Sequence, residues 1–215
     1  MTHMLKTLFA APLFAALALA VSLPAAAQQG LPPDVLELPT PIATDAKGKI
    51  EVVEFFWYGC PHCYALEPLL EKWVKEQPKD VEFRRVPAAF NDQWAIAGRV
   101  YYALESIGQL ERLHKPLFDA IHKDGLRITN PQALAQWLEK NGVDIKKFSD
   151  AEKSFTVESK MKRAKALLEQ ARLDSVPALM VNGKYIVPAG QNIIVSTNRL
   201  VAMERAQMQA KPAAK

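Results

Sequence analysis

The residues best suited to chemistry are two cysteines separated by two residues, in the tetrapeptide CPHC at positions 60–63. They are the only cysteines of the 215-residue chain. Pro61 follows the first cysteine and suits the first position of a helix, because its missing N–H would have no partner there anyway. Unpaired N–H groups and the helix dipole at such a position stabilise a thiolate. The pattern therefore predicts a redox-active dithiol.

The two cysteines are expected to have different roles. Cys60 lies at the predicted start of the helix, so we expect it to be the attacking and attacked sulfur. Cys63 lies one turn further along the same face, so we expect it to be the resolving thiol. His62 adds a hydrogen-bond donor or a positive charge beside the thiolate, which should lower the pKa of Cys60. Each unit by which that pKa falls is equivalent to about 1.4 kcal/mol of thiolate stabilisation. Because a stabilised thiolate favours the reduced form, the pattern predicts an oxidising disulfide.

Two structural interpretations of the cysteines are weaker. A disulfide across a four-residue loop stabilises a fold by about 2 kcal/mol, against about 3 kcal/mol for a fifteen-residue loop. A structural zinc site needs four ligands, and His114 and His122 are distant in sequence. We expect these two histidines to be ordinary surface or half-buried helix residues.

The elements around the tetrapeptide form a βαβ unit. Residues 50–57 (IEVVEFFW) are β-branched and aromatic and predict a buried central strand. A helix with an apolar stripe follows from Pro61 to Val74, with a kink expected at Pro68. Residues 81–86 (VEFRRV) alternate as a second strand. The stripe consists of Tyr64, Leu66, Leu69, Leu70, Trp73 and Val74.

The rest of the chain is mostly helical before strands return. A short strand is expected within 35–38, and Asn-Gly at 182–183 predicts a hairpin between strands 178–181 and 184–187. The pattern therefore indicates an α/β protein with an all-helical block. The predicted helices cover residues 94–107, 110–121, 131–140, 144–155, 158–172 and 193–208.

Composition excludes several classes of protein. Hydrophobic residues make up 49% of the chain and charged residues 23%, as in ordinary globular proteins. The 27 Lys and Arg against 23 Asp and Glu give a net charge of +4, but they are scattered. A nucleic-acid-binding protein usually has a concentrated basic stripe, so we expect no nucleic-acid partner.

The first 27 residues resemble a secretory signal peptide. Lys6 precedes an apolar run over 8–23, and alanines at 25–27 provide a small-residue cleavage site. An uncleaved membrane anchor is the alternative, but the apolar run is shorter than the roughly 20 residues that span a bilayer. We therefore predict export to a compartment where disulfides form, and a flexible tail over 210–215.

Two stretches together carry a resemblance to a known family. FFWYGCPHC at 55–63 and SVPALMVNGKY at 175–185 resemble the DsbA family of periplasmic thiol:disulfide oxidoreductases. The resemblance implies a thioredoxin-like fold, in which helices flank a central mixed β-sheet. It also implies a discontinuous thioredoxin-like domain over 28–90 and 157–209, with an inserted helical domain over 91–156.

The same resemblance implies an activity and its partners. The Cys60–Cys63 disulfide would be donated to newly exported unfolded proteins through a mixed disulfide on Cys60, without any further cofactor or metal. A membrane-embedded, quinone-linked oxidase of the DsbB type would regenerate it, and the protein would be a monomer. Val176 and Pro177 would face the active site and bind substrate, with Pro177 in the cis form; a trans proline that starts an edge strand is the alternative.

Glu54 is the predicted acid of the site. It lies six residues before Cys60 in the strand expected to be buried, so burial should raise its pKa. It could then accept the proton of Cys63 when a mixed disulfide is resolved. Alternatively, Glu54 reaches solvent or pairs with Arg85, which is itself either an electrostatic modulator or an exposed strand charge. Glu51 is a weaker candidate, since it starts the strand near Lys47 and Lys49.

Three other functions remain open on the sequence. A disulfide isomerase would need a dimerisation domain, but only about 20 residues separate the predicted cleavage site from the strand that begins at Ile50. A reductase for cytochrome maturation would usually be anchored and less oxidising. A redox-inactive, chaperone-like binding module would not need both cysteines.

Overall fold

The structure, a computed structural model, describes residues 30–210. The predicted signal peptide and residues 211–215 of the predicted tail lie outside these residues, whereas Ala210, which was expected to belong to the tail, is the last residue of a helix. Five strands form one mixed sheet in the order β1-β5-β4-β2-β3. The strands are β1 (Leu36–Glu37), β2 (Ile50–Phe56), β3 (Val81–Pro87), β4 (Ala178–Val181) and β5 (Tyr185–Pro188).

Seven helices accompany this sheet within residues 30–210. They are α1 (Pro61–Glu76), α2 (Asp92–Ser106), α3 (Leu110–His122), α4 (Pro131–Lys140), α5 (Ile145–Glu152), α6 (Phe155–Gln170) and α7 (Ile193–Ala210). Each predicted helix is present, and α1 continues through Pro68. The α/β class expected from the sequence is confirmed.

Strand β2 is the central strand that carries the site. It pairs parallel with β3 and antiparallel with β4, and all seven of its residues are buried. The predicted βαβ unit is thereby confirmed. The parallel register places Glu54 opposite Arg85, while the antiparallel register places Glu54 opposite Leu179.

The hairpin between β4 and β5 forms at the predicted Asn-Gly pair. Asn182 and Gly183 both have positive φ, at 51° and 64°, as expected for a two-residue hairpin turn that follows the twist of its strands. A Cβ at Gly183 would lie 2.0 Å from the carbonyl oxygen of Ile42. Glycine is therefore required here both by the backbone conformation and by the close approach of the chain.

The boundaries between α5 and α6 depart furthest from the expectation. The segment predicted over residues 144–155 is present as α5 but was extended too far, because α5 ends at Glu152 and α6 begins at Phe155. Ser154 separates them, since its side chain accepts the backbone N–H of Val157 and caps α6. The capping serine also explains why α6 begins before the predicted Glu158.

Two apolar clusters hold the sheet and helices together. One contains Val53 and Phe55 of β2 with buried residues of α2 to α6, and the other contains Val52 with buried residues of α1 and α7. Leu69 is an exception in the predicted stripe of α1, because 60% of it is exposed.

The division of the chain into a thioredoxin-like domain and an insertion over 91–156 stays a prediction. Within residues 30–210, no helix is both long and apolar enough to cross a membrane.

Candidate active site

The start of α1 places the two cysteines in contact. Cys60 is the residue that caps α1, with an extended backbone, and Pro61 occupies the first turn. The Cys60 Sγ accepts the backbone N–H of Cys63 at 3.2 Å, so the helix's unpaired N–H groups point at this sulfur as expected. Both cysteines are free thiols in the structure.

Access to the two sulfurs is unequal. Cys60 is 7% exposed and Cys63 is fully buried, while the side chain of His62 between them is exposed. A substrate sulfur can therefore reach Cys60 but not Cys63. The division into an attacking and a resolving thiol stays a prediction, which this difference in access supports.

The surroundings of Cys60 lower the pKa of its thiol to about 6. The hydrogen bond from the Cys63 side chain contributes most, and burial opposes it. The backbone N–H groups of Cys63 and His62 add to the lowering, and the charge of His62 contributes less than these. The neighbouring thiol and the helix start are thus more important than the histidine charge that the sequence analysis emphasised.

The Cys63 thiol is shifted in the opposite direction. Burial raises its pKa far above the usual range, and the hydrogen bond to Cys60 raises it further. The negative charges of Cys60 and Glu54 contribute in the same sense. Near neutral pH the reduced site therefore holds one thiolate and one thiol.

The loop before β4 packs against Cys60. The Cys60 thiol donates to the Val176 carbonyl at a sulfur–oxygen distance of 3.6 Å. The Val176–Pro177 bond is cis, as the family resemblance implied, and Pro177 is buried. Both residues expected to face the active site are therefore beside it.

Glu54 combines the two alternatives that the sequence left open. It is fully buried and also pairs with Arg85, whose Nε lies 3.0 Å from Glu54 Oε2. Burial raises the Glu54 pKa to about 8, although Arg85 opposes the shift. The side chain of Arg85 is 19% exposed, so it is not the exposed strand charge that was considered.

Sequence reasoning missed Glu67 and misplaced His114. Glu67 Oε1 accepts Arg85 Nη2 at 2.5 Å and lies 3.4 Å from His114 Nε2. His114 is 6% exposed and its Nδ1 lies 2.8 Å from the Tyr58 hydroxyl, so the expectation of a surface or half-buried residue is wrong for it. The position of Glu67 between two buried leucines of α1 was the available sequence signal.

His122 is half-buried, as expected, but it also reaches the active-site turn. Its Nε2 lies 2.8 Å from the Tyr58 carbonyl oxygen, and its ring stacks on Tyr64. The turn that precedes Cys60 is therefore held by contacts from α3. The sequence separation of 64 residues hides this contact from any local pattern.

Glu51 occupies a different environment from the one predicted. It is 1% exposed, accepts the Asp45 backbone N–H at 2.9 Å and pairs with Arg84 at 3.2 Å. Lys49, an expected neighbour, pairs with Glu82 instead. The partners of Glu51 therefore come from the loop before β2 and from β3.

An open groove of about 550 Å³ adjoins the active site. It extends from His62 and Pro177 along the exposed face of α1, where Leu69 lines it, to the start of α7. The groove provides a mainly apolar surface next to the reactive sulfur.

Within residues 30–210, no group of three or more His, Cys, Asp or Glu side chains is placed to hold a metal ion.

The separated pKa values predict selective labelling. At pH 5, iodoacetamide should modify Cys60 of the reduced protein, because about a tenth of a thiol with a pKa near 6 is ionised there. An ordinary thiol is almost fully protonated at that pH. The rate, measured by mass spectrometry from pH 4 to 8, should rise with a midpoint near 6 and leave Cys63 unmodified. Equal, slow labelling of both cysteines at pH 5 would contradict the assignment.

Comparisons with known proteins agree with this site. Residues 85–201 match the family described as DSBA-like thioredoxin domain. The chain is 43% identical to the thiol:disulfide interchange protein DsbA of Azotobacter vinelandii over 175 residues, which cover 79% of this chain and 82% of that protein. It is 42% identical to the Burkholderia cepacia protein of the same name over 194 residues, covering 90% and 91% of the two chains.

Solved structures give the same result. The crystal structure of Pseudomonas aeruginosa DsbA has a TM-score of 0.76 at 39% identity and covers 82% of this chain and 94% of that one. The DsbA of Xylella fastidiosa has a TM-score of 0.76 at 36% identity, with 80% and 96% covered. The thioredoxin-like fold implied by the sequence is thus confirmed, and the chain belongs to the DsbA family of thiol:disulfide oxidoreductases.

Proposed function

We propose that this protein oxidises thiol pairs of unfolded exported proteins by donating the Cys60–Cys63 disulfide. The observation that carries the proposal is the unequal state of the two thiols. Cys60 is accessible with a pKa lowered to about 6, whereas Cys63 is buried with a raised pKa. A disulfide whose reduced form contains a stabilised thiolate is a strong oxidant.

The transfer takes place in two exchanges. A substrate thiolate attacks Cys60 Sγ, the bond to Cys63 breaks, and the Cys63 sulfur leaves with the electron pair and takes up a proton. A second substrate thiolate then attacks the substrate sulfur of the mixed disulfide, and Cys60 leaves as a thiolate. The substrate loses two electrons and gains a disulfide, while the protein gains two electrons as a dithiol.

We assign to Glu54 the role of giving a proton to Cys63 and taking it back. With a pKa of about 8, Glu54 is mostly protonated at neutral pH and can supply a proton when Cys63 leaves. Its carboxylate can take the proton back when the protein is reoxidised. Burial in β2 thus makes the protonated acid the main form of Glu54 at neutral pH.

Val176, Pro177 and the adjoining groove are the surfaces we assign to substrate. The Val176 carbonyl lies beside Cys60, where an extended peptide can pair with the loop backbone. Pro177 has no N–H to compete for the same acceptor. His62 and Pro61 complete the site, His62 by its charge and Pro61 by starting α1.

Membership of the family supports a proposal about the location and regeneration of the protein. We propose that it works in the periplasm and is reoxidised by a membrane-embedded, quinone-linked oxidase of the DsbB type. Its redox group is the intrinsic disulfide. In this scheme the reduced protein carries the two electrons to the membrane oxidase, which regenerates the Cys60–Cys63 bond.

Disulfide transfer to a reduced protein tests the function. The oxidised protein, mixed with a reduced, unfolded protein that contains several cysteines, should transfer about one disulfide per molecule, counted by mass spectrometry after acid quenching. Reshuffling of scrambled disulfides without net oxidation would indicate an isomerase, and no reaction would indicate a binding module.

A trapping variant provides the matched control. Cys63→Ala should accumulate mixed disulfides on Cys60 in periplasmic extract, because its Cys60 thiolate attacks substrate disulfides and no resolving thiol remains. Cys60→Ala leaves the buried thiol alone and should trap none. Absence of adducts with Cys63→Ala would contradict the proposed exchange.

The pH dependence of resolution tests Glu54. When the reduced protein reacts with oxidised glutathione, Cys63 must lose its proton before it releases glutathione from Cys60. This step should accelerate as Glu54 ionises near pH 8. In Glu54→Gln it should be about tenfold slower at pH 8 or more and lack that inflection, since proton transfer by a positioned group typically contributes at least that much.

Stopped-flow mixing followed by acid quenching measures this step between pH 6 and 9. Glu51→Gln is the matched control, because it removes another buried carboxylate of the same strand that pairs with Arg84 instead. The control should keep the inflection. Superimposable profiles for the parent and Glu54→Gln would leave Glu54 without a role in proton transfer.

A further inference from the structure

A buried cluster of charges connects the active site to the helical block. Glu54 comes from β2, Glu67 from α1, Arg85 from β3 and His114 from α3. The two carboxylates and the histidine are each less than 10% exposed, and the arginine side chain is 19% exposed. Four separate elements thus bring ionisable groups together behind the two cysteines.

The cluster has one guanidinium for two carboxylates. Arg85 donates to Glu54 through Nε at 3.0 Å and to Glu67 through Nη2 at 2.5 Å. Glu54 Oε1, Glu67 Oε2 and His114 Nε2 have no hydrogen-bond partner in the part of the chain that the structure describes. Because an unbalanced buried negative charge is costly, ionisation of one carboxylate opposes ionisation of the other.

His114 contacts one of these carboxylates and not the other. Its Nε2 lies 3.4 Å from Glu67 Oε1, and its Nδ1 lies 2.8 Å from the Tyr58 hydroxyl. Burial raises the pKa of Tyr58 well above its ordinary value, so Tyr58 keeps its proton and can donate it to Nδ1. The remaining proton of a neutral His114 is then on Nε2, the ring nitrogen that lies nearer Glu67.

We propose that His114 is a positioning residue that keeps Glu67 ionised beside Arg85 and so leaves the proton of the cluster on Glu54. The inference rests on the proposed role of Glu54 as the proton donor and acceptor for Cys63. It assigns to the helical block a part in that chemistry. The block supplies His114, which makes the proton affinities of the Glu54 and Glu67 carboxylates unequal.

Packing and charge support this assignment. The His114 ring lies edge-to-face with Phe56 and Phe118, surroundings that favour neutral imidazole, and burial lowers its pKa. The pKa of Glu67 is lowered although burial opposes it, because His114 and Arg85 lie beside it. Arg85 Nη2 donates a hydrogen bond to Glu67 Oε1, whereas His114 Nε2 is in close contact with the same oxygen at 3.4 Å. The pKa of Glu54 is raised to about 8.

Other titratable groups around the cluster do not explain the asymmetry. Tyr101 of α2 donates to the Arg85 carbonyl at 3.5 Å, and Glu71 of α1 raises the His114 pKa by its charge. Cys60 and Cys63 face Glu54 from the start of α1 and interact with it through charge. Tyr58 contacts His114 by a hydrogen bond and also interacts with Glu67 and Glu54 through charge. Within residues 30–210, Arg85 and His114 are therefore the two groups that hold the Glu67 carboxylate.

Carboxyl ¹³C NMR titration tests the proposal without relying on activity. The oxidised full mature chain is used, because it has no Cys60 thiolate to disturb the titration, and Glu54→Gln and Glu67→Gln identify the two signals. In the parent, Glu67 should titrate at acidic pH and Glu54 several pH units higher. In His114→Phe, the Glu67 midpoint should rise and the Glu54 midpoint should fall, each by about one pH unit, a tenfold change in proton affinity.

His114→Gln is the matched variant, since its amide N–H₂ can still donate to Glu67. Its midpoints should lie closer to those of the parent than to those of His114→Phe. If His114→Phe does not fold, Tyr58→Phe replaces it; without the hydroxyl that fixes the proton on Nε2, both midpoints should move in the same directions by a smaller amount. Parent-like midpoints in a folded His114→Phe with a lowered melting temperature would overturn the proposal, because His114 would then only stabilise the fold.

The same samples separate this inference from the proposed function. The glutathione resolution rate is measured against pH for the parent and His114→Phe. Carboxyl midpoints that move while the rate profile stays unchanged would support the role of His114 and contradict that of Glu54. If the midpoints of both carboxylates rise together in His114→Phe, the proposal is overturned. That result would show that both carboxylates lose stabilising contacts, and not that His114 determines which of the two holds the proton.

Discussion

The hydrogen bonding of the Cys60 sulfur at the start of α1 is the interaction on which the site depends. The Cys60 sulfur accepts hydrogen bonds from the Cys63 backbone N–H and from the Cys63 thiol, and the pKa of Cys60 falls to about 6. The other sulfur is sealed in the core, and its pKa rises. Two chemically identical residues three positions apart thereby acquire opposite properties.

The surrounding fold keeps this difference in place. Strand β2 is buried over its whole length and leads directly to the turn before Cys60. The Tyr58 carbonyl of that turn is held by His122 of α3, and the cis Val176–Pro177 loop covers Cys60 from the side of β4. Sheet, helical block and loop each constrain one side of the same four residues. A small shift of any of them would change the hydrogen bonds of the thiolate.

Buried charge is the part of the structure that stability alone does not explain. The parallel pairing of β2 and β3 places Glu54 opposite Arg85, and α1 brings Glu67 to the same guanidinium. Replacing buried ion pairs with apolar residues is often neutral or stabilising. A cluster with an excess carboxylate is reasonable where a proton must be stored near neutral pH, next to a thiol that gains and loses one.

The sequence predicts most of the elements and the reactive pair, because these depend on local patterns. The apolar run of β2, the Asn-Gly turn and the spacing of the cysteines each have a local physical cause. The roles of Glu67 and His114 depend on contacts across the fold, as between His114 and Tyr58, 56 residues apart, which no periodicity shows. The cis form of Pro177 came from the family resemblance alone, and the protonation of Glu54 required its burial and its partner to be known together.

The redox equilibrium with glutathione as a function of pH tests the central claim, that reduction creates a Cys60 thiolate, most directly. Above pH 6, reduction by two glutathione molecules releases one proton, so the equilibrium constant for reduction should increase about tenfold per pH unit between pH 6.5 and 8. Below about pH 5.5 it should be nearly independent of pH, with the bend at the Cys60 pKa of about 6. An equilibrium constant that stays flat up to pH 8 would show that Cys60 remains protonated after reduction, and would contradict the account.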